Sequence, residues 1–72
     1  MTTGEYRVGI TFNPGGNETV SKVKTAAAAL IDMTEKIDDK SNSEVGRLKA
    51  LAMTYFEIGA MWAVKAATKP GK

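Results

Sequence analysis

The stretch from Val45 to Ala67 carries two apolar surfaces, and a chain of 72 residues has material to cover only one of them. A surface helix shows one apolar stripe and an opposite polar face. Here Leu48, Leu51, Ala52, Tyr55, Ile58, Gly59, Trp62 and Ala66 form one stripe at three-to-four-residue spacing. Ala50, Met53, Ala60, Met61 and Val64 form a second on a different side. A single partner helix covers one stripe. The sequence therefore predicts that the second surface, around Met53 and Met61, is covered from outside the chain, most simply by another copy.

Size and composition point the same way. Chains this short rarely gain more than about 3–5 kcal/mol from one core, and they add disulfides, a metal or oligomerisation. The sequence has no Cys and no His, which leaves oligomerisation. A Cys-free chain fits a reducing interior. Neither a signal-peptide pattern nor an apolar run long enough to span a bilayer is found, so a cytoplasmic protein with no membrane partner is expected. The ten basic and eight acidic residues are interspersed, for a net charge of +2. A domain that tracks a phosphate backbone shows a concentrated basic stripe instead. A long nucleic acid is therefore not the expected partner, while a small anion remains open.

In chain order, Met1–Glu5 is polar and expected to fray. Tyr6, Val8, Ile10 and Phe12 alternate with period two and predict a short extended segment lying across the helices. Asn13-Pro14-Gly15-Gly16-Asn17 reads as a turn ending in a helix N-cap at Asn17. The first long helix is expected over about 17–38, with a stripe of Val20, Val23, Ala27, Leu30, Thr34 and Ile37. Ser41 and Glu44 suggest a capping box for a second helix over 43–67, which stops before Pro70-Gly71. The short link makes the two helices an antiparallel hairpin. The expected fold is all-α: one domain over 1–72, a helical hairpin with a short N-terminal extended segment over 1–16, assembling into a compact homo-oligomer.

Catalysis has little to stand on. There is no His base or Cys nucleophile, and the adjacent Asp38 and Asp39 sit on an exposed loop. Metal ligands at workable spacing are missing too. The sequence is read as a non-enzyme with no catalytic residues, no metal and no cofactor. Binding has more support. Lys24 is flanked on its helix by Val20, Ala27 and Ala28, near a helix start where the dipole disfavours a cation. One reading is a stem that snorkels its ammonium to water. The other is a phosphate ligand, favoured by the same dipole and the free N–H groups. Phe12 either covers the helix start or offers its face to a nucleobase. Trp62 reads as core. Lys65 suits the negative end of its own helix. Glu57, among Met53, Ala60 and Met61, is a candidate for a buried or subunit-crossing ion pair, with a lysine as one candidate partner.

Three pieces carry a resemblance: Phe12-Asn13-Pro14-Gly15-Gly16-Asn17, the Val23-Lys24 pair, and Met61-Trp62-Ala63-Val64-Lys65-Ala66. Over about residues 8 to 67 they resemble the small phage helical-hairpin family of anti-CBASS sponge proteins, whose domain also occurs in a sponge that blocks Thoeris immunity. The resemblance implies capture, without cleavage, of cyclic oligonucleotide messengers made by bacterial immune systems, in the cytoplasm of the infected host. It implies a compact homohexamer with cyclic dinucleotide pockets between subunits, for ligands such as cyclic GMP-AMP, and separate cyclic trinucleotide sites in some members. The family's phosphate-contacting lysine falls on Lys24, and its base-stacking aromatic on Phe12. A late basic residue, arginine in some members and linked to trinucleotides, falls on Lys65. Thr25 and the backbone of Gly15 and Gly16 are added as ligand contacts from their places beside Lys24 and at the helix start. The competing reading is a structural or protein-binding hairpin that inhibits a host protein through its apolar surface. A weak nucleic-acid binder is a third.

Overall fold

An asparagine opens each long helix. Asn17 accepts a hydrogen bond from the Val20 N–H at 3.0 Å, and Asn42 accepts from the Glu44 N–H at 2.9 Å. In the computed structural model, which describes residues 1–71, three helices follow in order: α1 (Thr3–Val8), α2 (Glu18–Glu35) and α3 (Ser43–Ala67). α2 ends at Glu35, short of Ile37. Asn42, not Ser41, is the cap of α3, so the Ser41–Glu44 box does not form there. Both residue types hide an N–H that the first helical turn leaves unpaired.

The expected extended segment is a helix. Among the described residues no strand is present, and Thr3–Val8 forms α1. The Thr2 hydroxyl accepts from the Glu5 N–H and the Glu5 carboxylate accepts from the Thr2 N–H, a reciprocal capping box. At the other end Gly9 takes φ +65, a left-handed conformation that only glycine adopts without strain. These local bonds overrule the alternation of Tyr6, Val8, Ile10 and Phe12, because a lone strand leaves its backbone groups without partners.

α2 and α3 are antiparallel. At one end the Asn17 side chain donates to the Ala67 carbonyl at 3.4 Å; at the other, Lys49 donates to the Glu35 and Ile37 carbonyls at 2.9 and 2.6 Å. α1 lies along α2 and is held at both of its ends. Asp32 accepts from the Gly4 N–H at 2.7 Å, and Lys24 donates to the carbonyls of Gly9 at 2.9 Å and of Phe12. Lys24, Ala28 and Asp32 recur every four residues and so share one face of α2. The anion meets the positive end of α1 and the cation its negative end, as a helix dipole prefers. Between them Gly4 packs so closely on Ala28 that no side chain fits.

The core is small. Val20, Ala27, Ala28 and Ile31 of α2 pack with Met53 and Ala60 of α3. On α3 the buried residues are therefore Met53 and Ala60, which the sequence reading had turned outward; Ala50 and Met61 of the same surface are exposed, Met61 to 63%. The larger stripe is the open one: Leu48, Leu51, Tyr55, Ile58 and Trp62 are exposed, Trp62 to 64%. The buried face of α2 mixes Val20 and Ile31 with Ala27 and Ala28, and Ala60 is the small residue among those buried on α3. Leu30 and Ile37, expected in the α2 stripe, are also exposed. No helix among the described residues is long and apolar enough to cross a membrane.

Candidate functional site

Two crevices meet at Lys24. The first, of about 530 Å³, runs between the α1–α2 turn and the end of α3; Phe12, Gly15, Asn17, Lys24 and Lys69 are among its lining residues. The second, of about 350 Å³, lies between α1 and α3 and is lined in part by Arg7, Lys24, Glu57, Met61 and Lys65.

The turn over Asn13–Asn17 is built by side-chain bonds. The Asn13 amide donates to the Asn17 carbonyl at 2.8 Å and its oxygen accepts from the Asn17 N–H at 3.1 Å. The Gly16 N–H closes the turn on the Asn13 carbonyl at 3.0 Å, with Gly16 at φ +61. This fixes Phe12 just ahead of α2, with its ring exposed and its centroid 5.5 Å from the Lys24 ammonium. A cation at that distance from an aromatic face is attracted to it.

Lys24 is 6% exposed, so the snorkelling reading does not hold for this chain. Its ammonium has three N–H donors. Two go to the carbonyls of Gly9 and Phe12, which leaves one without a partner among the described residues. Lys49 does near the end of α2 what Lys24 does near the end of α1: each lysine bonds two carbonyls at or just beyond the C-terminus of the preceding helix. Lys24 differs in lining two crevices beside an aromatic ring.

Of the residues singled out from the sequence, Phe12, Gly15 and Lys24 come together in the first crevice, while Lys24 and Lys65 share the second. Lys65 rests its ammonium 5.3 Å from the centroid of the Trp62 ring. Thr25 lines a third, smaller crevice with Glu5, Ile10 and Asp32. Glu57 is paired with an arginine, not a lysine, and within the chain: its Oε1 accepts from Arg7 Nε at 2.7 Å. Sequence reasoning missed Arg7 because it placed that residue on an extended segment. The Thr2–Glu5 box was the signal that could have placed it on a helix.

The titration of Asp32 is displaced downward. The Thr2 hydroxyl and then the Gly4 N–H hold its carboxyl below the ordinary aspartate value of 3.8; burial opposes them and Lys36 assists. Hydrogen bonds to a carboxylate favour the charged form. Among the described residues no group of three or more His, Cys, Asp or Glu side chains is placed to hold a metal ion.

No curated protein and no solved structure matches this chain significantly. A family profile does: that of the Acb2/Tad1 hairpin domain, over residues 5–68, which takes in residues 5–8 of α1 and the whole of the α2–α3 hairpin. The chain thus belongs to the Acb2/Tad1 hairpin-domain family, whose members are phage sponge proteins for cyclic nucleotides.

Proposed function

We propose that the protein is a phage-encoded inhibitor of bacterial anti-phage immunity that binds cyclic dinucleotide messengers and withholds them without cleaving them. Cyclic GMP-AMP is a representative ligand. The observation that carries this reading is the meeting of Lys24 and Phe12 in one crevice. A cyclic dinucleotide offers phosphates and flat bases together. An ammonium with a free donor suits the first, and an exposed ring suits the second, by a stacking contact of about 1–3 kcal/mol per base. The Gly15 and Gly16 backbone borders the same turn. Thr25 and Lys65 are assigned as further contacts, with Lys65 serving cyclic trinucleotides if these are held.

The protomer offers a means of enclosing such a ligand. Leu48, Leu51, Tyr55, Ile58 and Trp62 leave a continuous apolar face on α3 uncovered. Copies joined through it, as a homohexamer, would bring crevices from neighbouring protomers together. The sugar-phosphate ring of a cyclic dinucleotide is close to two-fold, so its two phosphates can meet the same residues from two symmetric subunits even where the bases differ.

The same exposed face also favours a second reading, in which the hairpin docks on a host protein through it. Isothermal titration with a panel of cyclic dinucleotides and trinucleotides separates the two. Heat with at least one member, and recovery of that ligand intact by mass spectrometry, is expected. Silence across the panel would leave the host-protein reading standing, and a cleaved product would contradict sequestration.

A further inference from the structure

Each of the three helices contributes one cation to the crevice between α1 and α3. Arg7 comes from α1, Lys24 from α2 and Lys65 from α3, and among the described residues Glu57 is the only acid that lines it. The rest of the lining is apolar, including Val8, Ala60 and Val64. Three like charges around about 350 Å³ repel one another, and one carboxylate neutralises only one of them. Positive charge left in excess beside an apolar floor favours an anionic occupant.

Arg7 is suited to hold that occupant. Its Nε donates to Glu57 at 2.7 Å and an Nη2 hydrogen reaches the Thr54 hydroxyl at 3.5 Å. A guanidinium has five N–H donors, so three remain without a partner among the described residues. The side chain is only 27% exposed. Glu57 therefore holds the group in place while part of its fork stays free. A planar fork meets two phosphate oxygens at once, as an ammonium cannot.

We propose that Arg7 is a further phosphate-binding residue, positioned by Glu57, and that this crevice takes a ligand carrying more than one phosphate. The inference rests on the cyclic-nucleotide reading and extends it to a residue that reading does not use.

The test compares Arg7→Gln with Glu57→Gln. Titrations with the cyclic nucleotide that binds the wild type are run at several salt concentrations, with circular-dichroism melts alongside. Both variants weaken the ion pair, so both should melt below the wild type. Their affinities should part. Arg7→Gln should bind about ten- to hundredfold more weakly and with a shallower salt dependence. Glu57→Gln keeps an acceptor for Nε and removes the one opposing charge, so it should bind at least as tightly as the wild type. Arg7→Lys, which keeps the charge, covers the case in which Arg7→Gln does not fold; loss of the fork alone should cost several-fold in affinity. Equal weakening by Arg7→Gln and Glu57→Gln would reduce Arg7 to a structural partner and overturn the inference. An Arg7→Gln variant with wild-type affinity would overturn it alone, whereas a wild type that binds no cyclic nucleotide overturns the functional reading as well.

Discussion

Substituting Gly4 by alanine sets two effects of opposite sign against each other. Helix propensity favours alanine over glycine in a helix interior by about 1 kcal/mol. Packing opposes it. A Cβ at residue 4 would lie 2.1 Å from the Ala28 carbonyl oxygen and 2.8 Å from its carbon. An ordinary carbon–oxygen contact is about 3.3–3.6 Å. α1 must therefore retreat from α2 by roughly 1 Å, since the obstacle is backbone and cannot rotate away. That retreat stretches the Gly4–Asp32 bond, now 2.7 Å, beyond hydrogen-bonding range. The bond to a charged acceptor is lost, and a gap of that width forfeits up to half of each dispersion contact along the seam. Packing wins, and the net loss is about 1–3 kcal/mol. For a chain of this size that is a fall in Tm of about 4–24 °C. Melts followed by circular dichroism should be run at one fixed protein concentration, because self-association would make Tm depend on it. A Gly4→Ala protein that melts at or above the wild-type temperature would refute the close α1–α2 contact and the two-ended attachment of α1.

Lys24→Met keeps the stem and removes the ammonium. The Gly9 carbonyl retains the Phe12 N–H at 2.9 Å, whereas the Phe12 carbonyl loses its lysine, so a loss of about 1–3 kcal/mol is expected even without ligand. An unchanged melt would show that Lys24 does not hold the turn; loss of binding by this variant cannot on its own identify a phosphate contact. Leu51→Lys combined with Trp62→Lys places two charges on the exposed α3 face. Light scattering should then give the protomer mass with helical content retained, and a persisting oligomer would mean that copies join elsewhere. The lowered Asp32 titration makes a signed statement about acid. A carboxyl whose folded value is depressed stabilises fully above its unfolded value and loses that contribution as pH falls through the folded one. Asp32→Asn should remove this part of the decline in Tm below about pH 4, and an acid limb identical to that of the wild type would be evidence against it.

The hairpin was legible because α2 and α3 are long enough for their period to show and because Asn17 stands at a clear boundary. α1 was not. Its six residues give less than two turns of periodicity, and Tyr6, Val8, Ile10 and Phe12 imitate a strand. What decides that segment is Thr2 bonding Glu5, Gly9 accepting a left-handed φ, and Lys24 and Asp32 of α2 reaching both ends. The last of these is a tertiary relation that no local pattern carries. The face of α3 was misjudged for a related reason. Hydrophobicity marks both stripes, and which of them α2 covers is a tertiary relation that their spacing does not carry. For the candidate site, Lys24 stood out as a cation among apolar neighbours. Its bonds to Gly9 and Phe12 could not be seen without α1, and neither could the pairing of Arg7 with Glu57.

The described chain measures 51 × 25 × 12 Å between Cα extremes. Its least dimension is about half of the next and about a quarter of the longest. A plank of that thickness has two broad sides and almost no inside, so a guest resting on it stays open to water wherever no second plank lies on top. Residence time would then follow the lifetime of the stack more than any single contact, and dilution would free a captured molecule by parting its holders.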